Sequence, residues 1–134
     1  DYTSTDFEAE VMRLTDGQGV DVAYDSVGND TMARTITSTK RHGTIIAFGQ
    51  SSGPYVDFKI TDLAKGSYYL SRPTLFHFAA DRAWLETASA KLFEVVSDGT
   101  VKVLINQRFP LEDVAKAHEA LTARSTTGCT ILMP

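Results

Sequence analysis

An α/β fold with a mostly parallel sheet and flanking helices is predicted from the way apolar spacing changes along the chain. Some segments repeat at helical period and others alternate at strand period. They follow one another as helix, strand, helix, strand, connector, strand, helix, strand, helix and strand, an order that lets helices cover a parallel sheet. Glycine and proline punctuate the segments, and no internal repeat, low-complexity tract or long linker interrupts them.

The first helix is expected over Asp6 to Leu14, where Phe7, Val11 and Leu14 share a face. Thr5 and Glu8 are spaced as a capping box, and the DGQG segment ends the helix. Val20, Val22 and Tyr24 then alternate with Asp21, Ala23 and Asp25, the period of a strand. Gly28-Asn29-Asp30 turns the chain into a second helix that carries Met32 and Ile36, although Thr31, Thr35, Thr37 and Thr39 weaken its propensity. Lys40 to Gly43 reads as a polar connection into the strand TIIAF, which opens at once into the loop GQSSG.

A short helix is expected from Ile60 to Ala64 and a strand from Ser67 to Ser71, closed by Pro73 because proline lacks a backbone donor. Asp81 is placed to cap a helix bearing Leu85, Ala88, Leu92, Val95 and Val96, with Gly99 as its stop. Val103 and Ile105 mark a strand running toward Phe109, and Pro110 begins the next boundary. Leu111, Val114, Ala117, His118 and Leu121 form a helical stripe before the last strand, CTILM.

The length of 134 residues is enough for a useful core, and a charged fraction of 22% gives no case for disorder. Thirteen Lys and Arg against seventeen Asp and Glu leave a net charge of -4 without a basic cluster, so no nucleic-acid partner is expected. No apolar run is long enough to suggest membrane insertion. The single cysteine, Cys129, cannot form an intrachain disulfide and reads as a buried thiol in a reducing, cytosolic compartment. A start at DYTSTDFEAEV without methionine reads as a mature or truncated beginning.

The strand endings YDSVG and IIAFGQSSG place Gly28 and Gly49 at the mouths of two strands. Ligands of doubly wound sheets occupy the crevice beyond such carboxyl ends. Gly28 serves either a structural turn or a ligand approach, whereas Gly49 with Gln50, Ser51 and Ser52 joins backbone access to hydrogen-bonding groups. Asp25 either orients a ribose hydroxyl or organises the turn after its strand. His42, His77 and His118 fit no metal spacing; His118 is expected in a core or capping hydrogen bond, and His77 in aromatic packing or a pocket wall. Arg72 supports a loop or lines a cleft, and Arg124 is either a surface residue or a ligand contact. No nucleophile elbow is present, and neither catalytic nor metal-binding residues are assigned.

Taken together, GVDVAYDSVG, RHGTIIAFGQSSG, YYLSRPTLFHF and FPLEDVAKAHEALTARSTTG resemble the carboxyl-terminal portion of the zinc-independent (zeta-crystallin-like) NADPH:quinone oxidoreductases of the medium-chain dehydrogenase/reductase superfamily. The resemblance covers essentially the whole chain. It implies a partial Rossmann-like unit: residues 1–75 as the second part of the cofactor domain, and residues 76–134 as its remaining elements and the return to a GroES-like catalytic lobe. The glycine turn that grips pyrophosphate would lie ahead of this chain.

By the same resemblance, Tyr2 helps hold the 2'-phosphate of NADPH, while Val27 and Gly28 form the turn beneath the dinucleotide. Phe48, Gly49 and Gln50 lie beside the nicotinamide ribose and ring, and Arg124 contacts the cofactor from the carboxyl-terminal side. The implied reaction of the complete enzyme is hydride transfer from NADPH to a quinone, with the cofactor supplying the electron chemistry and no need of zinc. The strand from Ser67 to Leu70 resembles one near the family's dimer seam, which implies a homodimer; the alternative is an ordinary internal or edge strand. The isolated chain is expected to bind NADPH weakly and to be inactive. Alternatives are an enoyl or alkenal reductase, and a non-catalytic structural or interaction module on a dehydrogenase-like scaffold.

Overall fold

A computed structural model describes residues 1–134, which divide into two units, Asp1–His77 and Phe78–Pro134. The first contains α1 (Phe7–Leu14), β1 (Val20–Asp25), α2 (Met32–Thr37), β2 (Thr39–Ala47), a 3-10 segment (Ile60–Lys65) and β3 (Tyr69–Ser71). A short helix, α3 (Leu75–Ala79), follows at the boundary; the sequence pattern gave it no separate signal. Its five residues are too few for a helical period to register.

The three strands of the first unit are parallel in the order β1-β2-β3. Ala23, Ile45 and Leu70 lie in register across one face. On that face Met32 and Ile36 of α2 pack with Ile45 and Ala47, joined by Tyr55, Phe58, Tyr68 and Leu70. Ile45 is fully buried, the expected result for the middle of a central parallel strand. The other face remains open, with Val22 46%, Tyr24 74% and Tyr69 65% exposed. The apolar side of β1 is therefore the uncovered one, and its covered side carries the small Ala23 and the polar Asp25.

The start of α1 differs from expectation. Asp6, not Thr5, is the N-cap, and its carboxylate accepts from the Ala9 N–H at 3.3 Å. The Thr5 N–H instead donates to the Asp1 carbonyl at 2.8 Å, winding the first residues into a turn before the helix begins.

The polar segment Lys40 to Gly43 lies inside β2, not ahead of it. Val20 pairs with Thr39 and Val22 with Thr44, so residues 40–43 bulge out opposite Asp21. His42 takes a left-handed φ of 64° there, and its N–H donates to the Gly66 carbonyl at 2.8 Å. Lys40 Nζ reaches Asp21 at 2.9 Å across the bulge. A long polar insertion thus extends the strand because its ends still find ladder partners.

The second unit contains α4 (Arg82–Ser97), β4 (Ile105–Pro110), a 3-10 lead-in (Leu111–Asp113), α5 (Val114–Thr122) and β5 (Cys129–Met133). Asp81 caps α4 as expected, accepting from Ala83 N at 2.9 Å and Trp84 N at 3.2 Å. Asp81→Ala is expected to cost about 1 kcal/mol, read as a lower midpoint of chemical denaturation with unchanged slope. β4 and β5 pair in parallel as a separate two-stranded sheet, with Phe109 opposite Leu132.

Two expectations fail in this unit. Cys129 is exposed, since it begins a strand of a two-stranded sheet rather than the interior of a larger one. His118 is exposed as well, because the covered line of α5 centres on Ala117, 4% exposed, and the next residue is turned about 100° away. His77 is also exposed. No helix is long and apolar enough to cross a membrane.

Candidate functional site

Asp25 ends β1 and is only 4% exposed. Its Oδ1 accepts from the N–H groups of Val27 at 2.9 Å and Gly28 at 2.8 Å. Its Oδ2 accepts from the hydroxyls of Thr31 at 2.8 Å and Thr35 at 2.7 Å. Burial pushes the carboxyl upward, but the hydrogen bonds from Thr35, Gly28, Thr31 and Val27 together outweigh it and hold Asp25 below the ordinary carboxylate range. Of the two roles open from the sequence, the structure gives Asp25 the turn: both oxygens are engaged by the protein.

This clamp also accounts for the threonines of α2. Thr31 and Thr35 stand one helical turn apart and point the same way, so two hydroxyls meet one carboxylate. The local loss of helix propensity is offset by buried charge-assisted hydrogen bonds. Sequence reading missed both residues, although two hydroxyls four apart, shortly after a strand-ending aspartate, are a usable signal.

The turn after β1 and the loop after β2 are fastened to each other. Phe48 N donates to the Asp25 carbonyl at 2.9 Å, Ser52 N to Val27 O at 2.8 Å, and Asn29 N to Gly53 O at 3.0 Å. The Ser52 hydroxyl adds a donation to Val27 O at 2.7 Å and accepts from Asp30 N at 3.1 Å. A Cβ on Gly49 would lie 2.5 Å from the Ser26 carbonyl oxygen, and one on Gly28 would lie 2.5 Å from that of Gly53. The close approach that requires glycine at these positions is thus between the two loops themselves.

Two clefts flank α2 beside the fastened loops. The first, about 220 Å³, is bordered by Gly28, Gly49 and Gln50, with Met32, Tyr55 and Phe58 among its apolar walls and Arg72 in its lining. The second, about 190 Å³, is lined by Tyr2, Phe7, Tyr24 and Val27 together with the Asp25 and Thr31 clamp. Five of the residues expected at a cofactor therefore border one cleft or the other. Phe48 ends outside both linings and is 52% exposed. Arg124 belongs to the second unit, exposed just past α5 with a left-handed φ of 54°.

Tyr55 and Phe58 were not singled out from the sequence, because aromatic residues in an irregular loop carry no period. No group of three or more His, Cys, Asp or Glu is placed to hold a metal ion.

A family profile described as zinc-binding dehydrogenase matches residues 1–132. A quinone oxidoreductase of Pseudomonas aeruginosa is 39% identical over 100% of this chain and 42% of its own length. A 2-haloacrylate reductase of Burkholderia sp is 34% identical, with 99% of this chain and 40% of the relative covered. Among solved structures, Escherichia coli quinone oxidoreductase complexed with NADPH superposes with a TM-score of 0.94 at 36% identity, over 100% of this chain and 42% of that one. This chain spans about two fifths of the length of these relatives. With the parallel Rossmann-like topology and the matched residues taken together, the chain belongs to the zinc-binding dehydrogenase family and is a close homologue of the quinone oxidoreductases within it.

Proposed function

We propose that the protein carrying this chain transfers hydride from NADPH to a quinone. The observation that supports this most is the glycine-bordered cleft of about 220 Å³ at the carboxyl ends of parallel strands, where nucleotide cofactors bind in sheets of this kind. The cleft is largely apolar, and its polar groups are few, as suits a flat ring.

The residues present fit the cofactor. Val27 and Gly28 form a turn whose backbone is held rigid by Asp25, so the surface beneath a dinucleotide is set before binding. Tyr2 borders the second cleft and Gly49 and Gln50 the first; on this reading Tyr2 takes the 2'-phosphate end and Gly49 with Gln50 the nicotinamide end. Phe48 and Arg124 are the other residues proposed to contact the cofactor. Bound there, NADPH supplies a hydride. Tyr55 and Phe58 keep water from the ring, which favours transfer to the acceptor over unproductive access. No side chain of this chain is assigned as an acid or base, and the proton that follows comes from solvent.

Reduction of an electron-poor carbon–carbon double bond is the second reading, favoured by the similarity to 2-haloacrylate reductase. The finer reading also includes residues 1–75 and 76–134 as the two functional parts, a cytoplasmic location suggested by one unpaired thiol, and a homodimer. The dimer is supported by β3, which lies at the sheet edge with Tyr69 65% exposed.

The test is NADPH oxidation by the full natural protein with a panel of quinones and enones, beside titration with NADPH and NADH. Preference for NADPH and turnover of a quinone are expected. Absence of both binding and turnover, with stable partner assembly, would instead favour the scaffold alternative. On this reading the 134-residue chain alone binds weakly, and tight NADPH binding by it would reject the need for further residues.

A further inference from the structure

The first cleft contains one ionised group, the guanidinium of Arg72. The ion pairs of the molecule join other residues: Glu10 with Arg13, Asp21 with Lys40, Asp62 with Lys65, Glu86 with Arg82 and Asp113 with Lys116. Arg72 donates from one NH1 to the carbonyl of Pro73 at 2.9 Å. That contact steadies the fork without neutralising it and leaves further donors for a ligand.

The backbone explains why the charge stands here. Ser71 is in register with Ile46, so Arg72 comes one residue beyond, at the carboxyl end of the sheet that also presents Gly28 and Gly49. Pro73 prevents β3 from continuing, and the side chain is left at the cleft. It is exposed and screened by water when nothing is bound. A flat ligand against Tyr55 and Phe58 displaces that water and strengthens the field of the guanidinium.

We infer that Arg72 receives an acceptor oxygen on which negative charge rests or collects during reduction. This makes flat, conjugated acceptors bearing a carbonyl or carboxylate the substrate class of the cleft. The inference rests on the hydride-transfer reading above and deepens it.

The two acceptor types use the charge differently. A neutral quinone gains a hydride, and thus two electrons, from the reduced nicotinamide, which is left oxidised. The acceptor becomes a hydroquinone monoanion, and a solvent proton then neutralises its oxygen. Its charge appears only along the reaction, so Arg72 acts mainly on the transition state and therefore on kcat. An acrylate takes hydride at its double bond and a solvent proton at the neighbouring carbon. Its carboxylate is charged throughout, so Arg72 acts on binding and therefore on KM. The guanidinium acts in both reactions through its charge and its hydrogen bonds and transfers nothing.

The test uses Arg72→Ala and Arg72→Lys in the full natural protein, with benzoquinone and chloroacrylate as acceptors and a separate NADPH titration. Arg72→Ala is expected to lower kcat for benzoquinone by about tenfold or more and to raise KM for chloroacrylate by about tenfold, with NADPH affinity unchanged. Arg72→Lys restores the acrylate KM more than the quinone kcat, because it keeps the charge and loses the fork. Should the wild type accept only benzoquinone, its kcat decides the matter. Unchanged constants in Arg72→Ala overturn this inference alone. Equal losses with both acceptors, together with weakened NADPH binding, overturn it too, by assigning Arg72 to the cofactor. A wild type with no NADPH-dependent turnover removes the hydride-transfer reading and this inference with it.

Discussion

Asp25→Ala is expected to destabilise the protein by about 3 kcal/mol or more, because it strands buried donors that the carboxylate now satisfies. The N–H groups of Val27 and Gly28 lose their acceptor, and so do the hydroxyls of Thr31 and Thr35. The hydroxyls can re-aim toward helical carbonyls, but the turn N–H groups have no such freedom. Asp25→Asn should cost less, since the amide keeps one acceptor oxygen and its NH₂ can meet the hydroxyls as acceptors.

Comparing the wild type with Asp25→Asn also predicts a pH dependence. The folded carboxyl is held below its ordinary value of about 3.9 by hydrogen bonds that outweigh its burial. As acid is added, the unfolded chain takes up the proton first and the folded state resists it. The charge-dependent stabilisation is therefore complete above the unfolded value and is lost as pH falls through the lower folded value. Urea denaturation across this range should show the advantage of wild type over Asp25→Asn shrinking as pH falls below about 4. An advantage that stays constant or widens in acid would show that the carboxylate charge is not what stabilises the turn.

Gly28→Ala is the second large effect, at about 2–5 kcal/mol, because two costs meet at one residue. Its φ of 91° is unfavourable for any residue with a Cβ, and that Cβ would stand 2.5 Å from the Gly53 carbonyl oxygen. Gly49 and Gly53 separate the two contributions. Gly49 has the contact without a left-handed φ, its Cβ meeting Ser26 O at 2.5 Å, whereas Gly53 has a φ of 102° and nothing within 4 Å. Gly53→Ala should thus cost about 1–2 kcal/mol from strain alone, and Gly49→Ala about 1–3 kcal/mol from overpacking alone. Thermal or urea unfolding of the three variants checks the order. A Gly28→Ala protein no less stable than Gly53→Ala would mean that the loops separate without cost. If the fastened loops form the surface for NADPH, Gly49→Ala in the natural protein should also weaken cofactor binding.

Local chemistry made much of this architecture legible. Asp81 caps α4 as its spacing predicted, and the alternation from Val20 to Asp25 is a strand. The parallel arrangement followed from the order of helices and strands. Errors arose where a residue's environment depends on distant segments. The bulge at residues 40–43 looked like a connection, because its polar residues reveal neither Asp21 across the ladder nor Gly66 beneath His42. Cys129 and His118 were expected under cover that their apolar neighbours suggested and their elements do not receive.

The sequence by itself determined the kinds of element, their order, and glycines at the ends of β1 and β2, since turn preference and apolar period act over a few residues. Tertiary structure decided why those glycines are needed: two loops about twenty residues apart press backbone against backbone, at distances that leave no room for a Cβ. It also decided that Asp25 clamps a turn, that Thr31 and Thr35 complete the clamp, and that Arg72 comes to a cleft with no acidic partner. These outcomes depend on strand register and loop closure, which bring together groups that no local pattern relates.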